Sequence, residues 1–165
     1  MPIPAGKSAP PPAGTAVPPG SGPAPLGVTP AEAEVLTLVN QHRQQGAVCG
    51  NKSFGPAPPL IHHEALHRAA RAHSQDMASR NYFDHTTPKG RTVGDRIRAA
   101  GYSGGGYGEN IAAGKETPQA TVAQWMRSPG HCENIMDPHF RALGVGYAFG
   151  PQSSYGHYWT QNFGG

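Results

Sequence analysis

The sequence lacks almost everything that would commit it to a membrane or a nucleic acid. No apolar run exceeds a few residues, far below the roughly 20 that a spanning helix requires. Only 14% of residues are charged, and 13 Lys and Arg oppose 10 Asp and Glu with no long run of either sign. The net charge of +3 and pI near 9.0 therefore build no basic stripe, and nucleic-acid binding is not expected. Met1 to Pro12 has neither the charged n-region nor the apolar h-region of a secretory signal. That leaves an intracellular protein, or an exported one whose signal has been removed. Cysteine is scarce too: Cys49 and Cys132 lie far apart, so no C-x-x-C metal or redox spacing exists. A long-range disulfide and two buried free thiols both remain open.

Glycine and proline are abundant instead, about a quarter of the chain, and they are unevenly placed. Residues 1 to 30 hold ten prolines and five glycines with Lys7 as the only charge before the first helix signal. Such a stretch buries no core, so residues 1–28 are expected to be a disordered Pro/Gly-rich linker. It suits a spacer that holds an exported domain off an envelope. Residues 29–165 are enough for one domain, able to bury roughly two thirds of their unfolded surface.

Within that domain Thr29, Pro30 and Glu32 carry a capping-box start, and Val35, Leu36, Leu38 and Val39 give an apolar stripe that runs to Gly46. A Gly/Pro-rich loop is expected from Gly50 to Pro59. The spacing then predicts a long helix over Leu60 to Tyr82, with Leu66, Ala69, Ala70, His73 and Met77 on one face and Glu64, Arg68, Arg71 and Gln75 opposite. Thr92 to Ala100 reads as a short helix, and Thr117-Pro118 opens another that Ser128-Pro129-Gly130 stops. Leu143, Val145, Tyr147 and Phe149 then alternate with small residues, and after a turn Tyr155 to Phe163 is aromatic-rich and strand-like. Gly108 to Ala113 is the third expected strand. Helices over a small sheet make the fold class α+β.

Nine histidines require metal chemistry to be weighed. His63-Glu64-Ala65-Leu66-His67 matches H-E-x-x-H on a predicted helix, which alone would place two zinc ligands one turn apart beside a glutamate base. Arg68-Ala69-Ala70 lacks the continuation of the longer signature. The helix phase puts His63 and His67 on the flank of the apolar face, and five of the nine histidines crowd between positions 62 and 85, where chance matches arise. A quieter set, His85, Glu109 and His131, sits at loop signals, and two imidazoles with one carboxylate could form an open divalent-cation site. Spacing alone does not show that they converge.

The ordered segments Ala69 to Met77, Tyr82-Phe83-Asp84-His85, Gly108-Glu109-Asn110-Ile111-Ala112, Trp125 to His131, Leu143-Gly144-Val145-Gly146 and Tyr158 to Phe163 resemble the bacterial branch of the CAP superfamily. That superfamily is named for cysteine-rich secretory proteins, antigen 5 and plant pathogenesis-related proteins, and the likeness spans about residues 32 to 164. It implies a three-layer α-β-α sandwich, a secreted or envelope location, and a cleft of two histidines and two glutamates able to hold a divalent cation such as zinc. Matched motif by motif, the first histidine is His85, the first glutamate Glu109 and the second histidine His131. Ser128 stands where the second glutamate would be, so the tetrad is incomplete and one possible general base is missing. Ser128 and Asn110 are expected to line the cleft, and Glu109 and His131 are the catalytic candidates. The resemblance also implies a Cys49–Cys132 disulfide bracing the cleft wall.

Three functions follow as expectations: a binding module with a His/Glu cleft, a metal-dependent hydrolase in which Glu109 ligates zinc or activates its water, and a lipid or sterol carrier using Trp159, Tyr155, Tyr158 and the loop Gly104 to Gly106. The ligand expected for the module is a lipid, a peptide or a cell-envelope component. Ser128, His131 and Glu109 show no serine-hydrolase elbow around them. Aromatics on a terminal hairpin are more often core than binding surface.

Overall fold

The first helix, α1 (Pro30–Gln45), begins where Thr29 and Glu32 satisfy each other's backbone N–H groups in a capping box. Eleven elements follow one another in the computed structural model, which describes residues 27–165. The linker expected over residues 1–28 lies almost wholly outside them. After α1 come the short strands β1 (Ala47–Cys49) and β2 (Lys52–Phe54), then β3 (Ile61–His62), α2 (Glu64–Arg80) and α3 (Val93–Ala99). Strand β4 (Tyr107–Ala113), helices α4 (Pro118–Met126) and α5 (Pro129–Met136), and the hairpin β5 (Ala142–Phe149) and β6 (His157–Gly164) complete the chain. The main sheet has the order β3-β5-β6-β4, antiparallel except for the β3–β5 pair.

The sheet is covered on both faces, as an α-β-α sandwich requires. Leu143, Val145, Tyr147, Trp159 and Phe163 pack with Val35, Val39, Val122, Trp125, Ile135 and Met136 into one core under α1, α4 and α5. Full burial of each large apolar side chain stabilises this layer by about 1.5–3 kcal/mol. The opposite face carries α2. There Gly144 and Gly146 leave no side chain, so the helix backbone at Leu66–His67 and Ala70–Arg71 lies directly on β5. Ser74 Oγ donates to the Gly146 carbonyl at 3.0 Å across that contact. The small residues alternating with Leu143, Val145 and Tyr147 are thus the seat of a helix.

Two charged side chains are part of the core. Glu32, 1% exposed, caps α1 and also accepts the Tyr147 N–H at 2.9 Å and the Arg71 guanidinium, tying three elements together. Arg43, fully buried, donates to the carbonyls of Pro58, Ile135, Asp137 and Phe140 at 2.7–3.1 Å. It satisfies the C-terminal end of α5, whose last carbonyls have no helical partner.

Three sequence expectations change. The helix expected from Leu60 starts at Glu64, because Ile61–His62 pairs in parallel with Ala142–Leu143 and His63 then caps α2 by accepting the Ala65 N–H. Ser128-Pro129-Gly130 ends α4 but also opens α5, with Pro129 in the first turn where its missing N–H costs nothing. Residues 47–54, partly assigned to a loop, form a small hairpin.

Cys49 on β1 and Cys132 on α5 form a disulfide with Cα atoms 5.4 Å apart. It closes 83 residues of chain, so Cys49→Ala/Cys132→Ala is expected to lose about 2–5 kcal/mol. Urea unfolding of oxidised and variant protein checks this; coincident midpoints would refute it.

Candidate functional site

Glu109 lies on β4, the edge strand of the sheet, and faces α2 and α3. His85 reaches it from the loop between those helices, and its Nδ1–H donates to Glu109 Oε1 at 2.8 Å, since a carboxylate only accepts. Arg96 of α3 closes on the same carboxylate as a fork, Nη1 to Oε2 at 2.9 Å and Nη2 to Oε1 at 3.0 Å, and Nη2 also holds the His85 carbonyl at 2.6 Å. With its amide oriented to suit both neighbours, Asn162 donates to Oε2 at 2.8 Å and accepts the Ala70 N–H. The ion pair is enclosed, the Glu109 side chain being 1% exposed and that of Arg96 7% exposed, while His85 is half exposed at its rim.

The electrostatics follow from the partners. Burial pushes the Glu109 carboxyl up, but the His85 and Arg96 hydrogen bonds outweigh it and hold the group below its ordinary value. The Glu109 hydrogen bond raises His85 above the ordinary imidazole value against the pull of burial. His131, in the first turn of α5, is lowered by burial and by the charge of His85. Its Nδ1 is buried without a partner.

These positions bear on the chemistries expected from sequence. Each Glu109 oxygen already holds two donors, which is its full capacity, so a cation would have to displace Arg96. Among the described residues no three His, Cys, Asp or Glu side chains are arranged to hold a metal ion. As they stand, the three residues offer a cation two imidazoles but no free carboxylate, because both Glu109 oxygens are engaged by His85 and Arg96. With its carboxyl held below the ordinary value, Glu109 is a weaker base than a free glutamate, and no carboxylate is hydrogen-bonded to the His131 ring, whose Nδ1 has no partner. Ser128 is the N-cap of α5 and its side chain makes no capping hydrogen bond. Asn110 does not line the cleft. It is fully buried, donating to the His131 carbonyl at 3.1 Å and to Gln161, and accepting from Asn134; it positions α5.

The H-E-x-x-H residues point to three different tasks. His63 caps α2, Glu64 pairs with His62 and Arg68 at the surface, and His67 is buried with Nδ1–H donating to the Val145 carbonyl at 2.8 Å. The flank position expected for His67 is wrong because Gly144 lets α2 sink onto β5. The residues named for a lipid groove do not all lie together, and of the three aromatics only Tyr155 is exposed. Trp159 and Tyr158 are fully buried, Trp159 donating to the Lys115 carbonyl. Tyr158 pairs with Ala113 at one end of β4 while Gly106 precedes the other, roughly 20 Å away at strand rise.

What remains open is a pocket of about 180 Å³ along the β4 edge, lined by Ile111, Ala113, Gln124, Trp125 and His131 under Phe83 and Tyr155. The two rim rings are exposed, with centroids 6.0 Å apart. Gln124 Oε1, like His131 Nδ1, is buried there without a partner. Sequence reasoning missed Arg96 and Gln124. A charge next to the apolar Ile97 on a seven-residue helix was the only trace of Arg96.

Residues 36–163 match the model of the cysteine-rich secretory protein family, CAP. The chain belongs to the CAP family. Its CAP domain is 40% identical to the Bacillus subtilis protein YkwD over 85% of this chain, and 34% identical to the B. subtilis membrane protein YlbC over 82%. It spans 49% and 34% of those proteins, half of their length or less. Among solved structures it resembles an SCP-domain extracellular protein from Bacillus anthracis, with TM-score 0.67 and 32% identity over 81% of this chain and 40% of that one. An outer surface protein of Borrelia burgdorferi shares the fold, with TM-score 0.67 and 19% identity over 80% of this chain and 90% of that one. No helix among the described residues is long and apolar enough to cross a membrane.

Proposed function

We propose that this CAP domain is an extracellular binding module that captures a component of the cell envelope at the β4 edge and does no chemistry on it. The observation that carries this reading is the closed Arg96–Glu109–His85 cluster. The one buried carboxylate of the cleft is spent on holding the cleft together, and no nucleophile stands beside it. The pocket next to it has what recognition needs: an apolar floor, two exposed rings and two buried polar atoms awaiting partners. At about 180 Å³ it is smaller than most small-molecule sites, typically about 300–1,000 Å³, and admits a single side chain or sugar ring. The extracellular location rests on the surface and extracellular proteins that share the fold.

Two measurements test it together. Saccharide-peptide fragments of bacterial cell wall are expected to bind the wild type in calorimetry, and Phe83→Ala/Tyr155→Ala to weaken them about tenfold, the worth of two ring contacts. Zinc titration is expected to show no stoichiometric binding that His85→Ala/His131→Ala removes. Stoichiometric zinc lost in that variant would overturn the reading in favour of a metal-dependent hydrolase.

A further inference from the structure

On the far side of Arg96 from Glu109 the protein has a second and larger cavity, about 460 Å³, between α2, α3 and the loop that joins them. Its wall is mainly cationic: Arg68 and Arg80 come from α2, Arg96 from α3, and Lys89 and Arg91 from the loop, with Asp76 of α2 the one carboxylate among the lining residues. Three of these have carboxylate partners, Arg68 with Glu64, Arg80 with Asp76 and Arg96 with Glu109. Two positive charges are left over. Among the described residues neither Lys89 nor Arg91 has a carboxylate within ion-pair distance, and Asp95, which feels the charge of Arg91, is spent on the Thr92 cap of α3.

The loop that carries these two charges is built to present them. Thr87 and Arg91 exchange backbone and side-chain hydrogen bonds, the Thr87 N–H to the Arg91 carbonyl and the Arg91 N–H to Thr87 Oγ1, both at 3.0 Å. Gly90 turns the chain between them with φ of +89°. A loop already closed gives up little entropy when a ligand arrives. The floor is made of small residues, Ala69, Ala72, Ala99 and Ala100, so the cationic heads stand around a shallow apolar base. Two lining residues also keep buried nitrogens without partners, His73 Nδ1 and Arg96 Nε. Arg96 apart, neither the carboxylate cluster nor the β4-edge pocket uses this surface.

We propose that this α2–α3 cavity binds the phosphate group of a phosphate-bearing ligand, with Lys89 and Arg91 as its primary contacts and Arg68 and Arg80 as secondary ones. Guanidinium forks match phosphate oxygens in geometry as well as charge, and the volume accommodates a phosphate together with a small organic body. The site is separate from the proposed β4-edge pocket and stands or falls without it.

Calorimetric titration at low salt with inorganic phosphate and with glycerol phosphate is the test, alongside sedimentation with phosphatidylglycerol and phosphatidylcholine vesicles. Lys89→Ala/Arg91→Ala alters only exposed side chains without ion pairs, so the fold is expected to persist, which near-ultraviolet circular dichroism verifies. Binding is expected to weaken about tenfold in that variant, as for two exposed charge contacts, and to fall with added salt. Lys89→Glu/Arg91→Glu is expected to abolish it, while His131→Ala leaves it unchanged. Binding of the soluble phosphates identifies a free phosphate ligand; binding only of phosphatidylglycerol vesicles, dependent on the same two residues, identifies a lipid headgroup. No binding of any probe, or binding indifferent to Lys89 and Arg91, would overturn the proposal.

Discussion

Gly144→Ala is expected to abolish the folded domain. A Cβ at that position would stand closer than 3.0 Å to the backbone of Leu66 and His67, atoms in the first turn of α2 that have no freedom to turn aside. The alternatives are to lift the helix off the sheet or to bend β5, and either move opens the contact that buries Leu66, Ala70 and His73. Ordinary overpacking costs about 1–3 kcal/mol because side chains give way; here backbone meets backbone, and the expected loss exceeds about 4 kcal/mol. That is much of the roughly 5–15 kcal/mol that stabilises a typical domain. Gly146→Ala presses on Ala70 and Arg71 in the same way, whereas a Cβ at Gly55 meets nothing within 4 Å. Thermal melts of the three variants check the idea. Gly55→Ala should melt like wild type, and a Gly144→Ala protein doing the same would show that α2 does not rest on β5 as described.

Arg96→Met should be nearly as damaging, for an electrostatic reason. It leaves Glu109 buried on β4 with a half-exposed imidazole as its only charged partner, and breaking a buried pair from one side costs about 3–5 kcal/mol. Arg96→Met/Glu109→Gln removes the stranded charge and should recover part of that loss. The pH dependence separates this from simple loss of packing. In the wild type the Glu109 carboxyl is held below its ordinary 4.5, so its contribution is present above 4.5 and is lost as pH falls through the folded value. His85 is raised above 6.5, so its contribution is full below 6.5 and is lost as pH rises through its folded value. Without Arg96 burial dominates Glu109, the carboxyl rises, and acid destabilisation begins nearer neutrality. Melting temperatures of wild type and Arg96→Met from pH 4 to pH 8 measure this; parallel curves, or a cost below about 1 kcal/mol, would mean that Arg96 does not hold the cleft together.

Much of the frame was legible because local chemistry and tertiary structure agree there. Thr29 with Glu32, the 3.6-residue stripe from Leu66 to Met77, and the alternation from Leu143 to Phe149 each match an element within a few residues. The failures share one cause. His67 looked like a flank residue by helix phase, but burial on α2 is set by the glycines of a strand almost eighty residues later. Pro129 looked like a stop because the same residue that ends one helix is also well suited to begin another, and only the packing of Cys132, Ile135 and Met136 against the sheet selects the second reading.

By itself the sequence determined the starts of α1, α3 and α4, the terminal hairpin, the α+β class and the cluster of motifs that places His85, Glu109 and His131 in one family pattern. Only the tertiary structure decided what those residues contact. Arg96 and Glu109 are thirteen positions apart on different elements, and whether a carboxylate is a base, a ligand or one half of a closed ion pair depends on which donors reach its two oxygens. That is a property of three-dimensional neighbours, and no local pattern encodes it.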